Sequence, residues 1–244
     1  LIPLFVVSPL SGAFLIMILG RLLPNLNKYL ALLILLALAV FSVYSLVATG
    51  ENPSVYKVGG WEPVNRVPIG IYMVMDGFTV LVLCIINIVG FLSVFYSFSY
   101  IKRYTSENFF YALLCLMVAG MNGVVLSGDL FNIFVFLELS VISAYALVAF
   151  GVEKSELEAS FKYQVLGSMA SFFILLGIGL IYWKTKTLNI ADIREVLKAG
   201  SDRPFYIFVQ LILLSGFGLK AAIIPFHALL PDAHSSAPSP ISAM

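Results

Sequence analysis

Seven long apolar runs restrict this chain to a membrane fold. They cover residues 2–20, 28–48, 72–99, 109–127, 129–150, 160–183 and 204–225. A helix rises ~1.5 Å per residue, so ~20 residues cross the ~30 Å hydrocarbon core of a bilayer. Only 11% of the 244 residues are charged, against about 25% in soluble domains. The sequence therefore predicts an all-α polytopic membrane protein in which each run forms one span.

Net charge and cysteine usage exclude several functions. The net charge is +1, so it gives no argument for binding nucleic acid or an acidic ligand. Cys84 and Cys115 lie in apolar runs without the spacing of metal ligands or of a disulfide framework, and we interpret both as small buried hydrophobic residues. With no cysteine cluster for iron–sulfur and no nucleotide-binding motif in the sequence, we expect no cofactor and no metal site.

Two connections between the runs are long. Residues 49–71 are rich in proline and glycine and predict an ordered extramembrane loop, with no strand pattern. Residues 184–203 include "NIADIREVLKAG", where Asn189 is a plausible N-cap and Gly200 a stop signal. We predict a short surface helix there.

Two charged residues fall deep inside the predicted spans. Glu138 lies nine residues after Asp129, which is ~13 Å along a helix axis and close to the bilayer centre. Lys220 lies 16 residues after Pro204 and five before Pro225. A lone ionised side chain at such depth costs at least ~2.5–3.5 kcal/mol. Opposite charges in one small bundle therefore predict that Glu138 and Lys220 meet.

The contact between these two residues has two interpretations. Burial disfavours the charged form of a lysine, whereas a glutamate ~4 Å away favours it by ~4 kcal/mol at an effective dielectric constant near 20. A small movement between Glu138 and Lys220 would then switch the amine between holding and releasing a proton. Alternatively, the two residues form a fixed structural ion pair that sets the helix register. The charges alone leave both interpretations open.

The segment after Lys220 predicts a broken helix. Pro225 has no backbone N–H and crowds the carbonyl of Ala221, so the helix is expected to break one step beyond the lysine. His227 follows the break; its imidazole would relay protons or fill freed carbonyls as a neutral donor. We interpret His234 as part of a turn or surface cluster. Tyr145 shares a helix face with Glu138 and would either bond to its carboxylate or pack.

Four stretches of the sequence resemble a known family. They are "DGFTVLVL", "FLELSVISAYALVAF", "EASFKYQVLGSMASFFILLGIGLIY" followed by "TLNIADI", and "GFGLKAAIIPFHALLPDAHSSAPSPISA". Together they resemble the antiporter-like membrane subunits of respiratory complex I, membrane-bound hydrogenases and multi-subunit Mrp-type sodium/proton antiporters. The wording of "TLNIADI" is most similar to that of the D-type Mrp subunit or its hydrogenase counterpart.

The resemblance implies an antiporter-like fold with two inverted helix repeats and a discontinuous seventh helix. Residues 1–100 would hold three N-terminal transmembrane helices. Residues 101–244 would hold the first repeat, from helix four to the start of helix eight. The second repeat would be absent from this chain, as expected of a truncated subunit or, alternatively, a natural half-subunit. The fifth-helix glutamate of the family falls on Glu138, its seventh-helix lysine on Lys220, and the histidine of its "PxHxxLP" stretch on His227.

The resulting functional hypothesis is a proton-translocating subunit of a multi-subunit membrane complex, with exchange for sodium left open. Glu138, Lys220 and His227 would carry the translocation, and any redox chemistry of the parent complex would lie in other subunits. The expected partners are other membrane subunits, the lipid bilayer, and protons or sodium, but no nucleic acid. The expected location is the plasma membrane of a prokaryote. The alternative is a structural scaffold subunit that translocates nothing.

Overall fold

The computed structural model describes residues 2–20, 26–48, 53–60, 70–101, 107–199, 202–227 and 229–244. The described part of the chain is a helical bundle with one small β-ribbon. In chain order, its elements are α1 (Leu4–Leu19), α2 (Leu26–Ala48), β1 (Ser54–Lys57), β2 (Tyr72–Met75), α3 (Gly77–Tyr100), α4 (Glu107–Leu126), α5 (Leu130–Val148), α6 (Lys154–Thr185), α7 (Ile190–Ala199), α8 (Arg203–Lys220), α9 (Leu229–Ser236) and α10 (Ser239–Ser242).

The seven predicted spans are confirmed as helices, since α1 to α6 and α8 occupy most of each apolar run. Within the described ranges, α2 to α6 are five helices long and apolar enough to cross a membrane. Helix α1 is apolar but has 16 residues, and α8 ends at a charged residue, Lys220. The prediction of a helical, polytopic membrane protein is therefore confirmed.

The prediction that the first long connection contains no strand is wrong. Strand β1 pairs antiparallel with β2, and Val55 lies opposite Val74 in the register. The backbone N–H of Gly128 donates to the carbonyl of Tyr72 at 2.8 Å, which extends the pairing to the α4–α5 connection. Each strand has four residues, too few for an alternating pattern to stand out from a loop. Residues 49–52 and 61–69 of the predicted loop lie outside the described residues.

The predicted surface helix in the second long connection is confirmed as α7. The side chain of Asn189 caps it, because its Oδ1 accepts from the backbone N–H of Ala191 at 3.0 Å. Gly200, the expected stop, lies outside the described residues. The stretch before α7 pairs with the start of α5, since the N–H of Leu130 donates to the carbonyl of Leu188 at 3.0 Å. These bonds hold the entry to α5 in place.

A buried amide pair joins three helices. Asn87 on α3 and Asn122 on α4 exchange side-chain hydrogen bonds of 3.0 and 3.4 Å, and both side chains are fully buried. The Nδ2 of Asn122 also donates to the backbone carbonyl of Phe5 on α1 at 3.0 Å. Both asparagines therefore form hydrogen bonds between helices. Apolar side chains of α1 to α5 pack around this pair as the main core.

Small residues bring α4 and α5 close together. A Cβ atom added to Gly120 would lie 2.6 Å from the backbone nitrogen of Ser140, so only glycine fits at this crossing. Helix α6 packs against both α5 and α8. This arrangement places the middle of α5 between the α4 core on one side and α6 with α8 on the other.

Candidate functional site

Helix α5 presents Glu138 at mid-height. Asp129 caps the helix, because its Oδ1 accepts from the backbone N–H of Asn132 at 3.0 Å. Burial raises the pKa of the Asp129 carboxyl, and the cap hydrogen bonds oppose this only in part. Glu138 lies nine residues beyond the cap, and its side chain is 26% exposed.

Helix α8 ends at Lys220 in a Schellman motif. The N–H of Ile223 donates to the carbonyl of Gly218 at 2.9 Å, and the N–H of Ala222 donates to the carbonyl of Leu219 at 3.2 Å. Ala222 takes the left-handed conformation that glycine usually occupies, with φ of +49°. The predicted break one step beyond the lysine is confirmed. The described chain resumes a helix at α9, so the seventh span is discontinuous.

The structure brings Glu138 and Lys220 into direct contact. The Nζ of Lys220 donates to Oε1 of Glu138 at 2.8 Å. The hydroxyl of Ser171 on α6 donates to the same oxygen at 2.6 Å. The Lys220 side chain is 7% exposed, so the ammonium is nearly removed from solvent. At this separation the two charges attract by ~6 kcal/mol at an effective dielectric constant near 20, before the cost of desolvation.

A cavity of about 220 Å³ lies beside the ion pair. Its described wall is mostly apolar, with polar groups from Lys220, Tyr163, His234 and Ser242. At ~30 Å³ per molecule this volume corresponds to about seven waters, and the site offers several polar partners for them. Lys220 therefore lines a space that suits water.

The two histidines lie in different positions relative to the cavity. His227 lies in an exposed turn after the break and is not among the described residues that line the cavity. His234 on α9, interpreted from sequence as a surface residue, is exposed and also lines the cavity. Ser242 ties this region together by donating to the backbone carbonyl of His234 at 2.8 Å.

Sequence reasoning missed the roles of Ser171 and His234 in this site. Ser171 belongs to the small-residue stretch "LGSMAS" of α6, which is typical of helix packing. Nothing in that pattern singles out one serine as a hydrogen-bond donor to a carboxylate on another helix. The cavity next to His234 arises from six elements that meet only in three dimensions.

Tyr145 is packed rather than hydrogen-bonded. Its side chain lies against Gly167, and its ring meets that of Tyr163 edge-on with centroids 4.6 Å apart. Its buried hydroxyl has no hydrogen-bond partner among the described residues. The sequence left open whether Tyr145 packs or bonds to the Glu138 carboxylate. Packing is observed, and a direct hydrogen bond to the carboxylate is not.

A larger cleft lies at the opposite end of α5 and does not contain the ion pair. It has a volume of about 780 Å³ and lies between the β-ribbon, the start of α3 and α7. Its lining includes the charged residues Asp76, Asp192 and Arg194, and none of these three is buried. We place the candidate site at the smaller cavity because, within the described ranges, it is lined by a nearly buried lysine that is paired with a glutamate.

The described residues offer no evident place for a metal ion. Among them, no three histidine, cysteine, aspartate or glutamate side chains lie close enough to form a site. Cys84 on α3 and Cys115 on α4 are both buried and unpaired with each other.

Comparison with known sequences identifies the family. Residues 127–244 match the family described as NADH:quinone oxidoreductase/Mrp antiporter, TM. NADH-quinone oxidoreductase subunit N of Desulforudis audaxviator is 36% identical over 98% of this chain and 48% of its own length. The D-type subunit of the Na(+)/H(+) antiporter of Alkalihalophilus pseudofirmus is 31% identical over 96% of this chain and 46% of its own length. The chain thus spans about half the length of the curated relatives it matches.

A solved structure is also similar to this chain over nearly its whole length. A chain of the membrane-bound sulfane sulfur reductase, an archaeal respiratory membrane complex, superposes with a TM-score of 0.92 and 32% identity. The match covers 99% of this chain and 49% of the other. The bundle, its discontinuous seventh span and the sequence matches agree, and the chain belongs to the family of antiporter-like membrane subunits found in NADH:quinone oxidoreductases and Mrp antiporters.

Proposed function

We propose that this chain translocates protons as one subunit of a multi-subunit membrane complex, using Glu138 and Lys220 as a switchable ion pair. The observation that carries the proposal is the 2.8 Å contact between a 7% exposed lysine and a glutamate, next to a cavity that suits water. A structural ion pair alone needs no such cavity beside the amine.

The proposed switch depends on the distance between the two charges. At 2.8 Å the carboxylate stabilises the ammonium by ~6 kcal/mol, and at about 8 Å by ~2 kcal/mol, at an effective dielectric constant near 20. Separation therefore weakens the electrostatic hold on the ammonium by about 4 kcal/mol. The closed pair keeps the proton on Lys220, and the open pair releases it.

The proposal also includes His227. It lies in the exposed turn after the break, outside the described cavity wall. An imidazole can accept and release a proton near neutral pH. We assign His227 to the exposed face of the break, where it would pass protons to or from a neighbouring part of the complex.

The proposed setting is the plasma membrane of a prokaryote. The relatives named above come from bacteria and belong to oxidoreductases and antiporters, which supports other membrane subunits as partners. Within the chain, residues 1–100 would form the N-terminal three-helix part and residues 101–244 the translocating repeat. The family match covers residues 127–244, which lie within the second of these parts. Exchange of protons for sodium is an extension that the experiment below tests separately.

Transport by the assembled complex tests the proposal. Membrane vesicles containing the complex with Lys220→Met or Glu138→Gln are expected to lose proton uptake while subunit assembly stays unchanged. Lys198→Met is the matched control, because Lys198 is an exposed lysine on α7 paired with Glu195 outside the spans. Repeating the assay with and without a sodium gradient decides whether sodium is exchanged.

The scaffold alternative makes the opposite prediction. If another subunit moves the ions, the double variant Glu138→Gln with Lys220→Met keeps both assembly and transport. Full proton uptake in this double variant would reject the proposed switch and leave the ion pair as a structural feature of the bundle.

A further inference from the structure

The hydroxyl of Tyr145 is a buried polar group to which the proposed function assigns no role. The residue is 8% exposed, and its Oη has no hydrogen-bond partner among the described residues. Leaving a buried hydroxyl unpaired is unfavourable, and phenylalanine would fill the same space without that cost. A tyrosine at this position therefore suggests that its hydroxyl bonds to something in the working protein.

The surrounding helix is shaped to accept this hydroxyl. A Cβ atom added to Gly167 on α6 would lie 1.7 Å from the Oη of Tyr145, so the hydroxyl occupies the space that any other residue would fill. The ring is held edge-on by Tyr163, with centroids 4.6 Å apart. Helical side chains tilt toward the N-terminus, which directs Tyr145 back toward the turn that carries Glu138.

The spacing of Gly167 and Ser171 along α6 is close to the length of a bridge through one water. Gly167, which the hydroxyl touches, and Ser171, which donates to Glu138 at 2.6 Å, are four residues apart on α6. One helical turn rises ~5.4 Å, and two hydrogen bonds of ~2.8 Å through a water span about the same length. The Ser171 hydroxyl also lies 2.9 Å from the carbonyl of Gly167, so it has a second acceptor available.

We propose that Tyr145 is a positioning residue of the ion pair: its hydroxyl donates through one water to the carboxylate of Glu138 and holds that charge when Lys220 separates from it. In the closed pair, Oε1 of Glu138 accepts from both Lys220 and Ser171. When the lysine leaves, the tyrosine replaces part of the lost stabilisation. This inference rests on the proposed function of the pair and adds a third donor to it.

Few titratable groups line the cavity beside the ion pair within the described part of the chain. Helix α8 contributes Lys220, α6 contributes Tyr163, and α9 contributes His234 at the cavity. The cavity side chains from α4 are methionines, which do not titrate. Changes in the pH dependence of transport after removal of the Tyr145 hydroxyl would therefore report on Glu138 and Lys220 first.

Tyr145→Phe in the assembled complex tests the proposal. Since phenylalanine removes only an unpaired hydroxyl, a purely packed tyrosine predicts normal folding and normal transport. The proposal instead expects transport to fall about ten-fold and its pH profile to change, because the carboxylate loses a hydrogen-bond donor. Tyr111→Phe is the matched control, since that buried hydroxyl contacts Ser97 on α3, away from the ion pair.

An infrared measurement separates this inference from the transport proposal. The carboxylate band of Glu138 is the band lost in Glu138→Gln, and Ser171→Ala should move it as a direct donor. The proposal expects Tyr145→Phe to move the same band and Tyr111→Phe to leave it in place. A band and a pH profile unchanged in Tyr145→Phe would overturn the inference. If Lys220→Met still transports but Tyr145→Phe moves the band, the transport proposal fails and the hydrogen bond stands.

Discussion

Removing one member of the ion pair should destabilise the protein far more than removing both. Lys220 is 7% exposed and Glu138 26% exposed, with 2.8 Å between Nζ and Oε1. In Glu138→Gln the ammonium loses its counter-charge but stays buried. Breaking a buried pair in this way costs ~3–5 kcal/mol, whereas replacing both members by neutral groups is often close to neutral. The double variant with Lys220→Met should therefore recover most of the loss.

The assay is reversible unfolding of the purified protein in mixed micelles, followed by helical circular dichroism. For proteins of this size, 1 kcal/mol moves the unfolding temperature by ~2–4 °C, so the single variant should melt roughly 6–20 °C lower. The deficit should shrink as the pH rises, because the unpaired amine then becomes neutral and its burial costs less. If Lys220 instead packed as a neutral amine, the stability deficit of Glu138→Gln would not change with pH in this way.

Two results would refute this reasoning. If Glu138→Gln and the double variant lose equal stability, the loss comes from the shape or hydrogen bonding of the glutamate and not from an unpaired charge. If Glu138→Gln loses less than about 1 kcal/mol, the ammonium must reach water without the carboxylate. In that case the separation of charges cannot act as the switch.

Two further predictions concern the scaffold around the site. Gly120→Ala should destabilise the bundle by ~1–3 kcal/mol, because its Cβ would lie 2.6 Å from the Ser140 backbone. Gly179→Ala, with no atom within 4 Å, should leave stability equal or up to ~1 kcal/mol higher in the same unfolding assay. Burial holds the pKa of Asp129 above its ordinary value, so its stabilising contribution is complete in acid and lost as the pH rises through the folded pKa. Asp129→Asn, which keeps a cap acceptor, should match the wild type in acid and exceed it at neutral pH; equal stability at both pH values would contradict the assignment.

The spans and the break were predictable because their causes are local. Hydropathy and length set the helices, since each span must satisfy its own backbone hydrogen bonds in lipid. The stop at Lys220 follows from Pro225 and the residues between them. The short β-ribbon was not predictable, because four-residue strands carry too little pattern and gain their pairing from contacts with distant residues.

The candidate site was predictable only in part. An isolated charge at bilayer depth is so costly that the sequence alone predicted a contact between Glu138 and Lys220. The sequence did not predict the hydrogen bond from Ser171 to Glu138, because the two residues are 33 positions apart. It also did not predict the cavity beside His234. These depend on which faces of α5, α6 and α8 meet.

The amino-acid sequence by itself determined that this protein spans a membrane, that one glutamate and one lysine lie deep within it, and that the helix ends just after the lysine. Those properties follow from transfer free energies and backbone hydrogen bonding, which act residue by residue. Only the tertiary structure decided which oxygen the lysine contacts, which serine shares it, and that the hydroxyl of Tyr145 lies unpaired against Gly167. Such contacts depend on helix rotation and approach, which are set by the packing of the whole bundle.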